Sequence, residues 1–332
     1  MTEPIDAVIT WVDGNDKNHA QKVADCFARM GIERHVAAIP TRFNQCGEID
    51  YCIKSILRFA PWIRTIYIVT DNQIPPIIQQ FAGTPYESKL KLVDHHAIFH
   101  GFEHFLPTFN SLVIESVLWR IKGLSERFIY FNDDCSLIRP VVQDDFFREG
   151  KLVLRGHWKT QSHQKWRHYL KKLKCSLLNR AYTHVVPDDH RAVEENSAKF
   201  LGLTKRYFHL PHVPFSANKK ICEDLFLKYP DIMSQNLQYP FRDRRQFWII
   251  SLTYHLAINQ KNVIFDHKSA GITVNGSHHS LFKIRSRLAR ADYQKNIKFF
   301  CMQSMDVTPK PIQALLFNWL AKRIKGAPGA LP

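Results

Sequence analysis

Arg127-Phe-Ile-Tyr-Phe-Asn-Asp-Asp134 carries four consecutive apolar residues straight into Asn132 and two carboxylates. A short run without a polar face reads as a strand covered on both sides, which requires a layer above and below its sheet. The same pattern opens the chain. Ile5-Asp-Ala-Val-Ile-Thr10 leads into Trp11, Asp13, Gly14, Asn15 and Asp16, and Thr65-Ile-Tyr-Ile-Val-Thr70 leads into Asp71 and Asn72. Between the last two runs, Ile49, Cys52, Ile53, Ile56 and Leu57 fall on one helical face, and Pro61 stops that helix. Strand and helix alternate in this way to roughly residue 150, which predicts an α/β fold. The expected architecture is a Rossmann-like, mostly parallel sheet with flanking helices.

Ligands of open α/β sheets bind outside the C-terminal strand edges, where Asp13, Asp71, Asp133 and Asp134 are expected. Adjacent acids at such an edge suit a divalent cation, since hard cations take oxygen ligands. The alternative is a turn with two exposed acids. Gly14 beside Asn15 and Asp16 is turn chemistry. Trp11 at a strand end either stacks on a base or fills core.

Forty-six Lys and Arg against 30 Asp and Glu give a net charge of +16. That excess concentrates anions: nucleic acid, anionic lipid, nucleotide-sugars or phosphate polymers. No helix-turn-helix, finger or RNA-recognition signature accompanies it, so nucleic acid is not the expected partner. No run of about eighteen apolar residues occurs, so no membrane span is expected. Met1-Thr-Glu-Pro-Ile-Asp6 lacks the basic and apolar regions of a signal peptide. The seven cysteines have no paired spacing, and reduced thiols in a bacterial cytoplasm are the expectation. Neither His95-His96 nor His278-His279 has zinc-site spacing.

The later chain is expected to hold a basic helical insertion or lid over 155–205, with Trp158, Trp166 and Tyr169 interleaved among its cations. Helices are expected from Ser216 to Tyr229 and from Arg244 to Ala257, and short strands at Val263–Phe265 and Phe299-Phe-Cys301. Over 309–325, Ile312, Leu315, Leu316, Trp319, Leu320 and Ile324 make an apolar face that ends in Lys322, Arg323 and Lys325. This is either a docking helix or an interfacial one that places Trp319 and Leu320 in an anionic leaflet at the inner face of the plasma membrane.

Several of these segments together resemble the Stealth family of sugar-1-phosphate transferases. Ile5 to Asp16 is similar to its first conserved region. Arg42-Phe-Asn-Gln-Cys-Gly-Glu-Ile-Asp50, Ala60 to Pro75, Leu106-Pro-Thr-Phe-Asn-Ser111 through Asp134, and Asp144-Asp-Phe-Phe147 resemble the second. His209-Leu-Pro-His212 with Phe241-Arg242 resembles the third, and Lys298 to Asp306 the fourth. The resemblance implies one catalytic domain over 1–332 with a GT-A-like sheet. It implies transfer of a hexose- or N-acetylhexosamine-1-phosphate from a nucleotide diphosphate sugar to a sugar hydroxyl, with release of nucleoside monophosphate. Mg2+ or Mn2+ would sit on Asp133 and Asp134, and the first choice of donor is a UDP-sugar.

By the same resemblance Glu115, Asp134, His209 and Arg242 are the catalytic set, with His212 a rival to His209. Trp11, Asp13 and Gly14 would line the nucleotide pocket. Two departures stand out. Asp243 follows Arg242 in a compressed spacing, and Met302-Gln303-Ser304 lacks the acid of the fourth region, leaving that position structural or Asp306 to compensate. The competing activities are a conventional glycosyltransferase, which releases nucleoside diphosphate, and a non-catalytic nucleic-acid-binding protein.

Overall fold

The computed structural model describes residues 3–31, 43–165 and 189–326. Arg42 lies outside them, as does 166–188, which holds Trp166, Tyr169, Arg167, Lys171, Lys172, Lys174 and Arg180 of the expected lid.

The strands that carry the argument are, in chain order, β1 (Ile5–Thr10), β2 (Ile66–Thr70), β3 (Leu90–Asp94), β4 (Arg127–Asn132), β5 (Cys135–Leu137), β6 (His157–Thr160), β7 (Arg206–His209), β8 (Phe215–Asn218), β9 (Ala270–Asn275) and β10 (Ile297–Gln303). The main sheet has the order β8-β4-β1-β2-β3. Its pairs β4-β1, β1-β2 and β2-β3 are parallel, and β8 closes the edge antiparallel to β4. The fold is therefore α/β with a mostly parallel sheet, as the apolar runs require. Val8, Ile9, Ile68, Val69 and Phe131 are at most 1% exposed, so both faces are covered. Asp6, at the start of β1, is fully buried. It accepts from Arg64 Nε at 2.9 Å, Arg64 Nη2 at 2.6 Å and Ser125 N at 2.7 Å, which ties the N-terminal strand ends together. Such charge-assisted bonds are what make a buried carboxylate tolerable.

Helix α1 (Lys17–Met30) starts where the Asp16 side chain accepts from His19 N, and it ends at Gly31 in the left-handed region. Helix α2 (Glu48–Phe59) buries Ile49, Cys52, Ile53, Ile56 and Leu57 as their spacing predicts. Helix α3 (Ser111–Val117) is capped by the Asn110 side chain. The region expected to form a lid is partly pinned to the core. Its β6 pairs with β7 just beyond it, and α4 (Asp189–Phe200) lies between the two in the chain. Arg155 is buried against Asp266 at 2.9 Å.

Three expectations are corrected. Ser216 and its neighbours form β8, because Phe215, Ser216 and Ala217 are all buried beside β4; helix α5 (Lys219–Lys228) begins only after the Asn218 cap. Helix α6 (Ile249–Asn259) starts later than Arg244, after the turn around Asp243. Finally, not all cysteines are free thiols. Cys135 and Cys301 are disulfide-bonded, having been brought face to face by the antiparallel pairing of β5 with β10 at a Cα separation of 4.3 Å.

Helix α7 (Leu281–Tyr293) carries Asp292, which receives α8 (Lys310–Lys325). Leu316 and Leu320 are fully buried. Trp319 packs on Phe300 with ring centroids 4.8 Å apart and donates to Asp292 at 3.1 Å. Arg323 pairs with the same Asp292. Leu320 is therefore packed against the core, while Trp319 is half-buried. None of the described helices is long and apolar enough to cross a membrane. Leu320→Ala should accordingly lower unfolding stability by about 2–5 kcal/mol. An unchanged chemical-denaturation midpoint would refute the docked helix.

Candidate active site

The C-terminal strand edge opens onto a cavity of about 880 Å3. The sheet register accounts for its position. Thr10 pairs with both Asn132 and Val69, so Trp11 leaves β1 beside the Asp133-Asp134 pair. Trp11, Asp133, Asp134 and Arg242 line the cavity, together with Glu48 and His212. Asp13, Gly14, Glu115 and His209 stand outside the lining.

The acids crowd one another. Burial first, then the charges of Asp134 and Glu48, push the Asp133 carboxyl well above the usual carboxylate range. Burial likewise raises Glu48, with Asp134 and Asp306 adding to the effect. Glu48 opens α2 behind Gly47, near the positive end of the helix dipole. These side chains are a hard-oxygen donor set, and their mutual repulsion is what a divalent cation relieves, so the residues fit Mg2+ or Mn2+. Ligand atoms of Asp134, Cys135, His212 and Cys301 also lie within 4.8 Å of one another. That second grouping would suit a softer metal only with free thiolates, and the bond between the two sulfurs removes them.

The structure brings His212, not His209, to the cavity. His212 Nε2 lies 3.0 and 3.1 Å from the two Asp134 oxygens. Burial pulls the His212 imidazole down, but the charge and hydrogen bond of Asp134 outweigh it, and the group titrates above its ordinary value. His209 turns the other way. Its Nδ1 is 2.8 Å from the buried Glu194, whose other oxygen accepts from Leu210 N at 2.9 Å. His209 thus fixes the end of β7, and the next turn of chain carries His212 to the acids.

Arg242 Nη2 donates to Ser111 Oγ at 2.6 Å. Glu115 lies one helical turn after Ser111 on α3, buried beneath the lining, and accepts from Trp248 Nε1. Burial raises the Glu115 carboxyl, while Trp248, the Arg242 charge, Ser111 and Tyr130 pull it back. Glu115 therefore touches the groups that hold Arg242 and does not face the cavity.

Asp13 and Gly14 shape the rim. Asp13 N–H donates to Gln73 Oε1 at 2.9 Å, and Gln73 Nε2 returns a bond to Asp13 O at 3.0 Å. Gly14 N donates to Phe43 O at 2.8 Å, and a Cβ at Gly14 would fall 2.7 Å from Phe43 Cβ. Close approach is what demands glycine here.

Asp306 also lines the cavity, its carboxylate accepting from Asn44 Nδ2 at 3.2 Å. The lining includes residues that the sequence did not single out, chiefly His19, Glu48 and Thr108. An acid directly after a glycine at a helix start was a usable signal for Glu48. His19 and Thr108 carried none.

Two conserved regions are matched by family models: "Stealth protein CR1, conserved region 1" over residues 3–25 and "Stealth protein CR2, conserved region 2" over residues 42–154. The exopolysaccharide phosphotransferase cps2G of Lactiplantibacillus plantarum is 30% identical over 292 residues, covering 78% of this chain and 77% of that protein. The chain belongs to the Stealth family. The capsular polysaccharide phosphotransferase fcs1 of Haemophilus influenzae is 41% identical over 157 residues, 45% of this chain and 39% of its own. The exopolysaccharide phosphotransferase SCO6021 of Streptomyces coelicolor is 44% identical over 145 residues, 43% of this chain and 25% of its own. This Stealth chain thus spans well under half the length of several curated relatives it matches. Among solved structures, the galactosyltransferase LgtC covers 98% of this chain and 97% of its own at 9% identity, with a TM-score of 0.43.

Replacing His212 separates the two histidines. His212→Ala should lower turnover on the order of 10²–10⁴-fold. His209→Ala should lower thermal stability by stranding Glu194 and leave the chemical step nearly intact; the reverse pattern would exchange their roles. The sign with pH is also set. Because folding raises the His212 pKa, the His212–Asp134 pair stabilises fully below about pH 6.5. That contribution is lost as pH rises through the folded-state value. The stability gap between the parent protein and His212→Gln should therefore shrink with rising pH, and a gap that widens would refute the pairing.

Proposed function

We propose that this chain transfers a sugar-1-phosphate from a nucleotide diphosphate sugar to a sugar hydroxyl during capsule or exopolysaccharide synthesis. The observation that carries the reading is the convergence of Asp133, Asp134, His212 and Arg242 on one cavity at the edge of the parallel sheet. The names of relatives from three bacterial genera, all polysaccharide phosphotransferases, support it. One apolar core runs from Ile5 to Ile324, which supports a single catalytic unit. On this reading the reaction belongs to the bacterial cytoplasm.

Phosphoryl transfer asks for positioning and charge neutralisation more than covalent help. Asp133 and Asp134, with Glu48 beside them, would hold Mg2+ or Mn2+, which when bound neutralises charge on the diphosphate. Arg242 presents a planar donor fork to the transferred phosphoryl oxygens. Ser111 anchors one of its nitrogens, and Glu115 below supplies a compensating charge. His212 is the general base. With Nε2 held by Asp134, Nδ1 is left to take the proton of the acceptor hydroxyl. The hydroxyl oxygen bonds to the phosphorus that bears the sugar, the bond from that same phosphorus to the bridging oxygen breaks, and nucleoside monophosphate departs with the bridging oxygen. The donor is a UDP-sugar on this reading.

The released nucleotide tests it. Incubation with Mg2+ and a panel of UDP-sugars plus a polysaccharide acceptor should yield UMP and a phosphodiester-linked product, and Asp134→Asn should remove most of that activity while the fold survives. Release of UDP instead would make the enzyme a conventional glycosyltransferase.

A further inference from the structure

The bond between Cys135 and Cys301 is one oxidation state of that pair, and the neighbours of the two sulfurs decide what the other state can do. Asp134, Cys135, His212 and Cys301 each turn one ligand atom into a common space, and all four atoms lie within 4.8 Å of one another. Three separate segments meet there: the turn into β5, the loop between β7 and β8, and β10. The backbone fixes their meeting. Met302 N donates to Asp134 O at 3.0 Å, Cys301 faces Cys135 across the β5–β10 pair, and Cys301 Sγ lies 3.0 Å from His212 O. Both cysteines are fully buried, whereas Asp134 and His212 open onto the cavity.

Two thiolates, an imidazole and a carboxylate are a tetrahedral donor set for Zn2+, which accepts sulfur, nitrogen and oxygen alike. Mg2+ takes oxygens and gains nothing from the sulfurs. Zn–S bonds of about 2.3 Å and Zn–N or Zn–O bonds of about 2.0–2.1 Å give tetrahedral edges of roughly 3.3–3.8 Å. The four ligand atoms already approach that size, and the edge from His212 Nε2 to Asp134 is 3.0 Å. Parting the two sulfurs is the main adjustment the site needs.

We propose that the dithiol form of this chain holds Zn2+ on Cys135, Cys301, His212 and Asp134, and that the disulfide form releases it. A dithiol reductant supplies two electrons and two protons. The S–S bond breaks, Cys135 and Cys301 become thiols, and the reductant becomes a disulfide. Zn2+ then displaces one proton from each thiol to solvent and is held by two thiolates, the carboxylate and the neutral imidazole. A disulfide oxidant reverses the step. The two sulfurs bond to each other, the oxidant takes two electrons and two protons to become a dithiol, and Zn2+ leaves. The binding itself does not depend on which transfer reaction the cavity performs. Its consequence rests on the proposed sugar-1-phosphate transfer: Zn2+ takes Asp134 from Mg2+, and an imidazole bound through Nε2 keeps its proton on Nδ1. His212 then cannot accept the proton of the acceptor hydroxyl, so the Zn2+-bound chain is idle.

The test compares the full chain in its dithiol and disulfide forms, each verified by thiol titration. Zn2+ is titrated against a competing chelator, and Co2+ serves as a spectroscopic stand-in. Loss of a mere hydrogen-bond partner of a metal ligand costs about 10–100-fold in affinity, so loss of both sulfurs should cost at least about 100-fold. The dithiol chain should therefore bind one equivalent of Zn2+ and give a sulfur-to-Co2+ charge-transfer band. The disulfide chain should bind at least about 100-fold more weakly and show no band. Cys135→Ser and Cys301→Ser, checked for folding by circular dichroism, should each weaken Zn2+ binding of the reduced chain. Equal affinity in the two forms of the parent chain, a missing charge-transfer band, or undiminished binding by a folded serine variant would overturn the site. In the transfer assay, Zn2+ should inhibit the dithiol chain at concentrations that leave the disulfide chain active. The two readings fail separately. Release of UDP removes the phosphotransferase reading and leaves Zn2+ binding standing. Release of UMP by a chain whose two forms bind Zn2+ equally does the opposite.

Discussion

Carboxylate crowding at the end of the parallel sheet governs the rest of the site. Asp133, Asp134 and Glu48 repel one another, and two of them are driven above the usual carboxylate range by burial and by their neighbours. Such a cluster persists only where the fold over-determines it. Here the determinants are plain. The β1–β4 register fixes where the chain leaves the sheet, α2 delivers Glu48 at its first turn, and Asp6 clamps the far ends of the strands. On the proposed reading, that repulsion is what a bound divalent cation would relieve.

The positive side of the site is built with the same economy. His212 and Arg242 come from loops after β7 and before α6, far apart in the chain, and each reaches the cavity through a buried acid that lies outside it. Glu194 holds His209 and Leu210 and so sets the turn that carries His212. Glu115 sits below Ser111 and Arg242. A buried carboxylate without a cation partner is costly, so each of these acids forces a particular placement of the chain around it. The functional groups are thereby held by networks rather than by single contacts, which is how a first shell acquires precision.

Much of this was legible in the sequence, for a physical reason. Strand-end acids are a local signal: the apolar run and the carboxylates are contiguous, so Asp133, Asp134 and Trp11 could be placed without any tertiary information. Asp13 and Gly14 were equally visible as turn residues, but which wall they serve depends on Gln73 and Phe43, distant in the chain. The choice between His209 and His212 was not legible. Three residues apart around Pro211, they differ only in which acid each meets, and Glu194 and Asp134 are assigned by packing. Glu115 was visible as an acid in a helix, but its burial depends on Trp248 arriving from α6. The disulfide escaped for the same reason: Cys135 and Cys301 are 166 residues apart and meet only through the pairing of β5 with β10.

The end of β10 shows how residues beyond a strand can still serve its edge. Met302, Gln303 and Ser304 still line the cavity, because β10 is held in place by β5 and β9 whatever side chains it presents. Asp306 follows just beyond the strand and also reaches the cavity wall, where Asn44 holds its carboxylate and where its charge is felt at Glu48. A carboxylate just beyond the strand thus joins the electrostatic neighbourhood of Glu48. What such a site conserves physically is the field at its centre, and a fold that closes a loop over its strand edge has more than one position from which to supply it.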